Sequence, residues 1–96
     1  MGGGSRAIAP SLKTFALSFF EEALAELQHE RAWYAARSLS AETGFLREVD
    51  QAIRAITEHP ERWPRRGRRA RRYVFPTYPF SFIYIIEITT VFVVAL

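Results

Sequence analysis

Past Pro60 the apolar residues of this 96-residue chain change their spacing. Before it they recur every three or four positions, and after it they alternate, so helices give way to strands. In the stretch 41–58, Phe45, Val49, Ala52, Ile53 and Ile56 fall on one helical face. From 68 onward, β-branched and aromatic residues predict strands at about 68–75, 79–87 and 90–96. "EITT" is a tight reversal between the last two, and Pro76 and Pro79 bracket the turn before them.

The part before Pro60 adds one strand and a second helix. In "KTFALSF", Phe15, Leu17 and Phe19 share a side, which predicts a short strand. Ser18 and Glu21 have capping-box spacing, so a helix is expected to start there and run to about Ser38. Its expected stripe is Phe20, Leu24, Leu27, Arg31 and Tyr34, flanked by Ala23 and Trp33. Arg31 can lay its stem on the core and keep its head in water. "RSLSAETGF" is a turn, with Ser40 as the expected N-cap of the helix over 41–58. Asp50 and Arg54 form an i,i+4 pair on that helix. Pro60 ends it and pushes His59 out of helical geometry.

The expected fold is α+β, in the order β-α-α-β-β-β. An antiparallel sheet carries the two-helix hairpin on one face. Residues 14–96 make one domain, and residues 1–13, opening "MGGGSR", are read as a flexible lead, native or left by cloning. Phe80, Phe82, Tyr84 and Ile86 alternate with Ile83 and Ile85, so the sheet is apolar on both faces. Two helices cover only one of them, and the other face calls for a partner.

The charge is segregated. Residues 21–61 hold nine of the ten acids, and residues 62–72 hold seven of the thirteen basic residues. Such a patch implies a polyanionic or acidic partner more strongly than the net charge of +3 does. No cysteine is present, which removes disulfides and thiolate metal sites and fits a cytoplasmic protein. "LKTFALSFF" runs into Glu21 and Glu22 with no small-residue cleavage site, unlike a signal peptide. The uncharged run 73–86 is too short for a membrane helix.

Metal and cofactor chemistry finds no support. His29 and His59 lack ligand spacing, and Gly67 stands alone among arginines rather than in a phosphate loop. Glu21 and Glu22 suit a helix's first turn, where the dipole favours them. On a strand, Arg69 and Arg71 would share a face with Tyr73, and Arg68 and Arg72 would share the other. Guanidinium groups so placed clamp phosphates, while the plain alternative is a charged edge that keeps strands from pairing. Trp63 is expected to plug one end of the core, and Tyr78 and Tyr84 suit packing better than catalysis.

Taken in order, "FFEEALAELQHERAWYAARS", "GFLREVDQAIRAITEHPERWP" and "ARRYVFPTYPFSFIYIIEITTVFVVAL" resemble the RelE/ParE superfamily of bacterial type II toxin–antitoxin toxins. The resemblance implies a small toxin held inactive in a hetero-oligomer by a cognate antitoxin encoded beside it. Some relatives cleave ribosome-bound mRNA with basic residues and a tyrosine, and ParE-like ones poison DNA gyrase. The long helical hairpin and the Trp-Pro loop look ParE-like. For a nuclease the matching residues would be Arg69, Arg71, Arg72 and Tyr84. Arg65, Arg66, Arg68, Arg69, Arg71, Arg72 and Tyr78 are the candidates for binding target or antitoxin. Two departures weigh against the nuclease. Pro76 and Thr77 stand where many relatives carry arginines, and Leu96 ends the chain where relatives continue with a His and an Arg, as in a truncated or attenuated toxin. A third reading is a non-toxic, basic nucleic-acid-binding module.

Overall fold

The computed structural model describes residues 14–96; the lead expected over residues 1–13 lies outside them. The chain runs through β1 (Ala16–Phe19), α1 (Glu21–Arg37), α2 (Leu39–Glu58), β2 (Arg65–Arg66), β3 (Ala70–Val74), β4 (Ser81–Glu87) and β5 (Thr90–Ala95). The five strands form one sheet in the order β1-β5-β4-β3-β2. This is the expected α+β arrangement, with one strand more than foreseen. The two-residue β2 pairs antiparallel with β3, Arg65 opposite Arg71 and Arg66 opposite Ala70.

One pairing departs from an all-antiparallel sheet. β1 lies parallel to β5, with Ser18 opposite Phe92 and Phe19 opposite Val93. That pairing also overturns the capping box at Ser18. Ser18 belongs to the strand, and the next step of the ladder takes the Phe20 N–H, which donates to the Val93 carbonyl at 2.8 Å. α1 therefore starts at Glu21 with Phe20 as its N-cap and no side-chain cap. Glu21 and Glu22 remain in the first turn, where the helix dipole stabilises them.

α1 packs on the core through Ala23, Leu27 and Tyr34. Leu27 and Tyr34 belong to the expected stripe and Ala23 flanks it as expected, whereas Leu24 faces outward and Arg31 binds Glu42 of α2 at 2.9 Å. The link between the helices is the single residue Ser38. Its extended backbone ends α1, and its hydroxyl accepts from the Ala41 N–H at 2.9 Å to open α2. Ser38, not Ser40, is thus the cap. On α2 the sequence reading holds: Phe45, Val49, Ala52 and Ile56 are buried, and Asp50 pairs with Arg54 at 2.9 Å. The helix stops at Glu58, and His59 takes φ −142° and ψ 69° ahead of Pro60.

These helix residues join Tyr73, Phe75, Phe82, Tyr84, Val91 and Val93 in the core. Leu17 and Phe19 of β1 pack against the same cluster. The register puts Arg72, Ile83, Ile85 and Phe92 on the opposite face. There Ile83, Ile85 and Phe92 are half-buried and Val74 is 59% exposed. Phe20 folds over one margin, its ring 6.0 Å from that of Phe92. No helix of the described residues is long and apolar enough to cross a membrane.

Candidate functional site: a cationic hairpin beside two grooves

The basic run folds as the β2–β3 hairpin, reached through the loop after α2. Its tip is the turn at residues 67–69, where Gly67 takes φ +81°, a region that favours glycine. A side chain built at Gly67 would meet nothing within 4 Å, so the space around that residue is open. Arg69 lies in this turn, not on β3, and so does not share a strand face with Arg71 and Tyr73 as expected.

The seven arginines divide by what holds them. Arg71, half-buried, donates to the Trp63 carbonyl at 2.7 Å and the Glu61 carbonyl at 3.1 Å. It therefore ties the loop to β3. Arg72 donates to the Ser81 hydroxyl across the strands at 3.2 Å. Arg69 is paired with the Glu87 carboxylate. Arg65 donates to the Arg68 carbonyl at 2.9 Å and stiffens the hairpin from within. Arg62 sits 5.9 Å above the Trp63 ring. Arg66 and Arg68 are exposed and have no side-chain hydrogen bond or ion pair among the described residues.

Trp63 plugs the end of the core, as expected. Its ring meets Tyr73 edge-on at 4.8 Å, and its Nε1 is buried without a hydrogen-bond partner. Tyr84, the tyrosine of the expected nuclease set, is fully buried. Its hydroxyl donates to the Pro60 carbonyl at 2.6 Å, fastening β4 to the end of α2. Burial pushes that hydroxyl up to about 12, against a smaller downward pull from Arg71.

Tyr78 comes from the loop between β3 and β4. Its ring packs edge-on against Tyr34 at 5.1 Å and against Phe45 at 5.7 Å. The absent side chain of Gly44 makes room for it, since a Cβ there would lie 2.5 Å from the Tyr78 hydroxyl. The same loop is tied to α2 where the Thr77 N–H donates to Glu48 at 3.2 Å. Pro76 and Thr77 therefore serve to seat Tyr78.

Two grooves meet at Arg72 and Val74 of β3. One, of about 760 Å³, brings Arg72, Val74 and Tyr78 together with Glu26, His29 and Glu30 of α1. The other, of about 490 Å³, is lined by Trp63, Pro64, Arg65 and Arg66 and shares Arg72 and Val74 with the first. Together they make a track from Tyr78 to the hairpin, apolar at Val74 and cationic beyond it. Arg65, Arg66, Arg72 and Tyr78 line it; Arg68 and Arg69 stand at the tip, and Arg71 and Tyr84 lie outside it. The sequence reading missed Val74 and the α1 residues Glu26, His29 and Glu30. Exposed β-branched and acidic positions in strands and helices carry no signal of their own. Among the described residues, no three His, Asp or Glu side chains are grouped to hold a metal ion.

The strand order and the helical hairpin define an α+β fold that is also found in a solved structure. A chain of the chromosomal ParDE toxin–antitoxin system from P. aeruginosa superposes with a TM-score of 0.59 at 15% identity. The match covers 86% of this chain and 94% of that one. The family model for the ParE toxin of the type II toxin–antitoxin system parDE matches residues 17–96, and the chain belongs to that family. A search of curated proteins finds no significant match.

Proposed function

We propose that the protein is the toxin of a type II module in the bacterial cytoplasm, that it poisons DNA gyrase, and that a cognate antitoxin neutralises it. The observation that carries the choice of target is the position of Tyr84. A tyrosine that exchanges protons with RNA must reach the substrate. Tyr84 is fully buried, and its hydroxyl is engaged by the Pro60 carbonyl. Arg71, the central arginine of the nuclease set, is spent on two loop carbonyls. Arg71 and Tyr84 of the nuclease set thus work as internal fasteners, which favours a toxin that acts by binding.

The antitoxin reading rests on the track beside β3 and on the half-exposed Ile83, Ile85 and Phe92 behind it. An amphipathic segment with acidic residues would cover the apolar side and meet Arg65, Arg66 and Arg72. The test for the target is a supercoiling assay with purified protein and gyrase. Trapped cleavage complexes are expected, and primer extension on translated mRNA is expected to show no new ends. Co-purification with the product of the adjacent reading frame tests the antitoxin, and a free, monodisperse toxin in its presence would refute that part.

A further inference from the structure

Between Glu61 and Glu87 the chain carries seven arginines and no acid. Folding sorts them: Arg69, Arg71 and Arg72 are engaged by other side chains or by loop carbonyls, while Arg66 and Arg68 stay exposed at the hairpin. The hairpin itself is held stiff. Arg65 binds the Arg68 carbonyl across the turn, and the Arg72 N–H donates to the Pro64 carbonyl at its base at 3.0 Å. Gly67 turns the chain with its positive φ in open space, and Arg69 of the same turn is anchored to Glu87. A hydrogen-bonded, two-stranded ribbon bearing unpaired guanidinium groups has the shape and charge that duplex DNA accepts.

We propose that the β2–β3 hairpin grips the phosphate backbone of duplex DNA, with Arg66 and Arg68 as its two principal contacts. Single-stranded nucleic acid is held by bases stacked on exposed aromatic rings. The hairpin offers none: Tyr73 is buried, and Trp63 is packed edge-on against it. The exposed aromatic residues Phe20 and Trp33 belong to the start and the body of the helical hairpin, not to the ribbon. Backbone contact of this kind carries no sequence preference, because phosphates are alike at every step. The proposal goes beyond the gyrase reading and is independent of it, since it concerns bare DNA with no enzyme present.

The test is fluorescence anisotropy of the full chain with a labelled mixed-sequence 20-base-pair duplex and with the matching single strand, across a salt series. The parent protein is expected to bind the duplex more tightly than the single strand, with log affinity falling linearly against log salt. Arg66→Ala with Arg68→Ala removes two phosphate contacts and lowers the magnitude of that slope by about 1.8. Arg66→Lys with Arg68→Lys keeps the charge and the slope. Arg37→Ala with Arg47→Ala removes equal charge from the helices and leaves the slope unchanged. Arg66 and Arg68 are exposed, so the variants fold, and circular dichroism checks this. An unchanged slope in the double alanine variant overturns the proposal. So does tighter binding to the single strand, or a parent that ignores DNA and binds polyglutamate instead.

Discussion

Tyr84→Phe removes one oxygen from the centre of the molecule. In the parent, that oxygen donates to the Pro60 carbonyl at 2.6 Å inside the core. Without it the ring still fills its place, but the buried carbonyl loses its partner. The loss costs about 1–3 kcal/mol, because the acceptor stays desolvated. A domain of this size loses roughly 4–8 °C in Tm per kcal/mol, so the midpoint should fall by about 5–20 °C. Thermal melts followed by circular dichroism measure this directly. The same variant, assayed well below its midpoint, should keep full toxicity, because the hydroxyl has no route to a target. An unchanged midpoint combined with lost toxicity would refute the reasoning and make Tyr84 a chemical group.

Three further outcomes follow from the same structure. Alkaline unfolding should show a step owed to Tyr84. Its folded-state value of about 12 lies above the ordinary 10, so its contribution is intact below pH 10 and lost as the pH rises through 12. The step is smaller in Tyr84→Phe, where Tyr34 and Tyr73, also raised by burial, still contribute, and it is read from urea titrations at successive pH values. Ser38→Ala should cost about 1 kcal/mol by removing the cap of α2, whereas Ser40→Ala should leave the urea midpoint unchanged within error. Gly44→Ala gains helix propensity of about 1 kcal/mol but drives a methyl into the Tyr78 hydroxyl. In a Tyr78→Phe background the collision is gone, so a double-mutant cycle should show Gly44→Ala stabilising there and not in the parent.

The elements were legible in the sequence because their apolar periods are local. The stripe from Phe45 to Ile56, the stop at Pro60 and the alternation after Arg68 all follow from spacing alone. Pairing was harder, since a strand's partner lies far along the chain. Nothing near Ser18 announces that β5 will run parallel beside it and displace the capping box. Ser38 and Ser40 both suit an N-cap by composition, and the one-residue link that selects Ser38 is a property of how the two helices pack. The candidate site was legible as a cluster and not as a set of roles. Sequence places seven arginines together. Only the loop carbonyls of Glu61 and Trp63 make Arg71 a fastener, and only the open turn at Gly67 leaves Arg66 and Arg68 free.

That division bears on how the toxin works. Of the residues that match nuclease chemistry, Tyr84 faces inward and Arg71 is tied to loop carbonyls, while Arg69 and Arg72 stay at the surface. Those left outside form a binding surface, with an apolar stretch at Val74 and a cationic tip. Under the proposed function, such a protein acts by holding a target or an inhibitor, and the same surface serves either.

The central claim is tested most directly by incubating purified protein with gyrase, ATP and relaxed plasmid, and in parallel with a translating ribosome extract. The account predicts blocked supercoiling, linear plasmid released by detergent, and intact message. Normal supercoiling with message cut at the ribosome would contradict it.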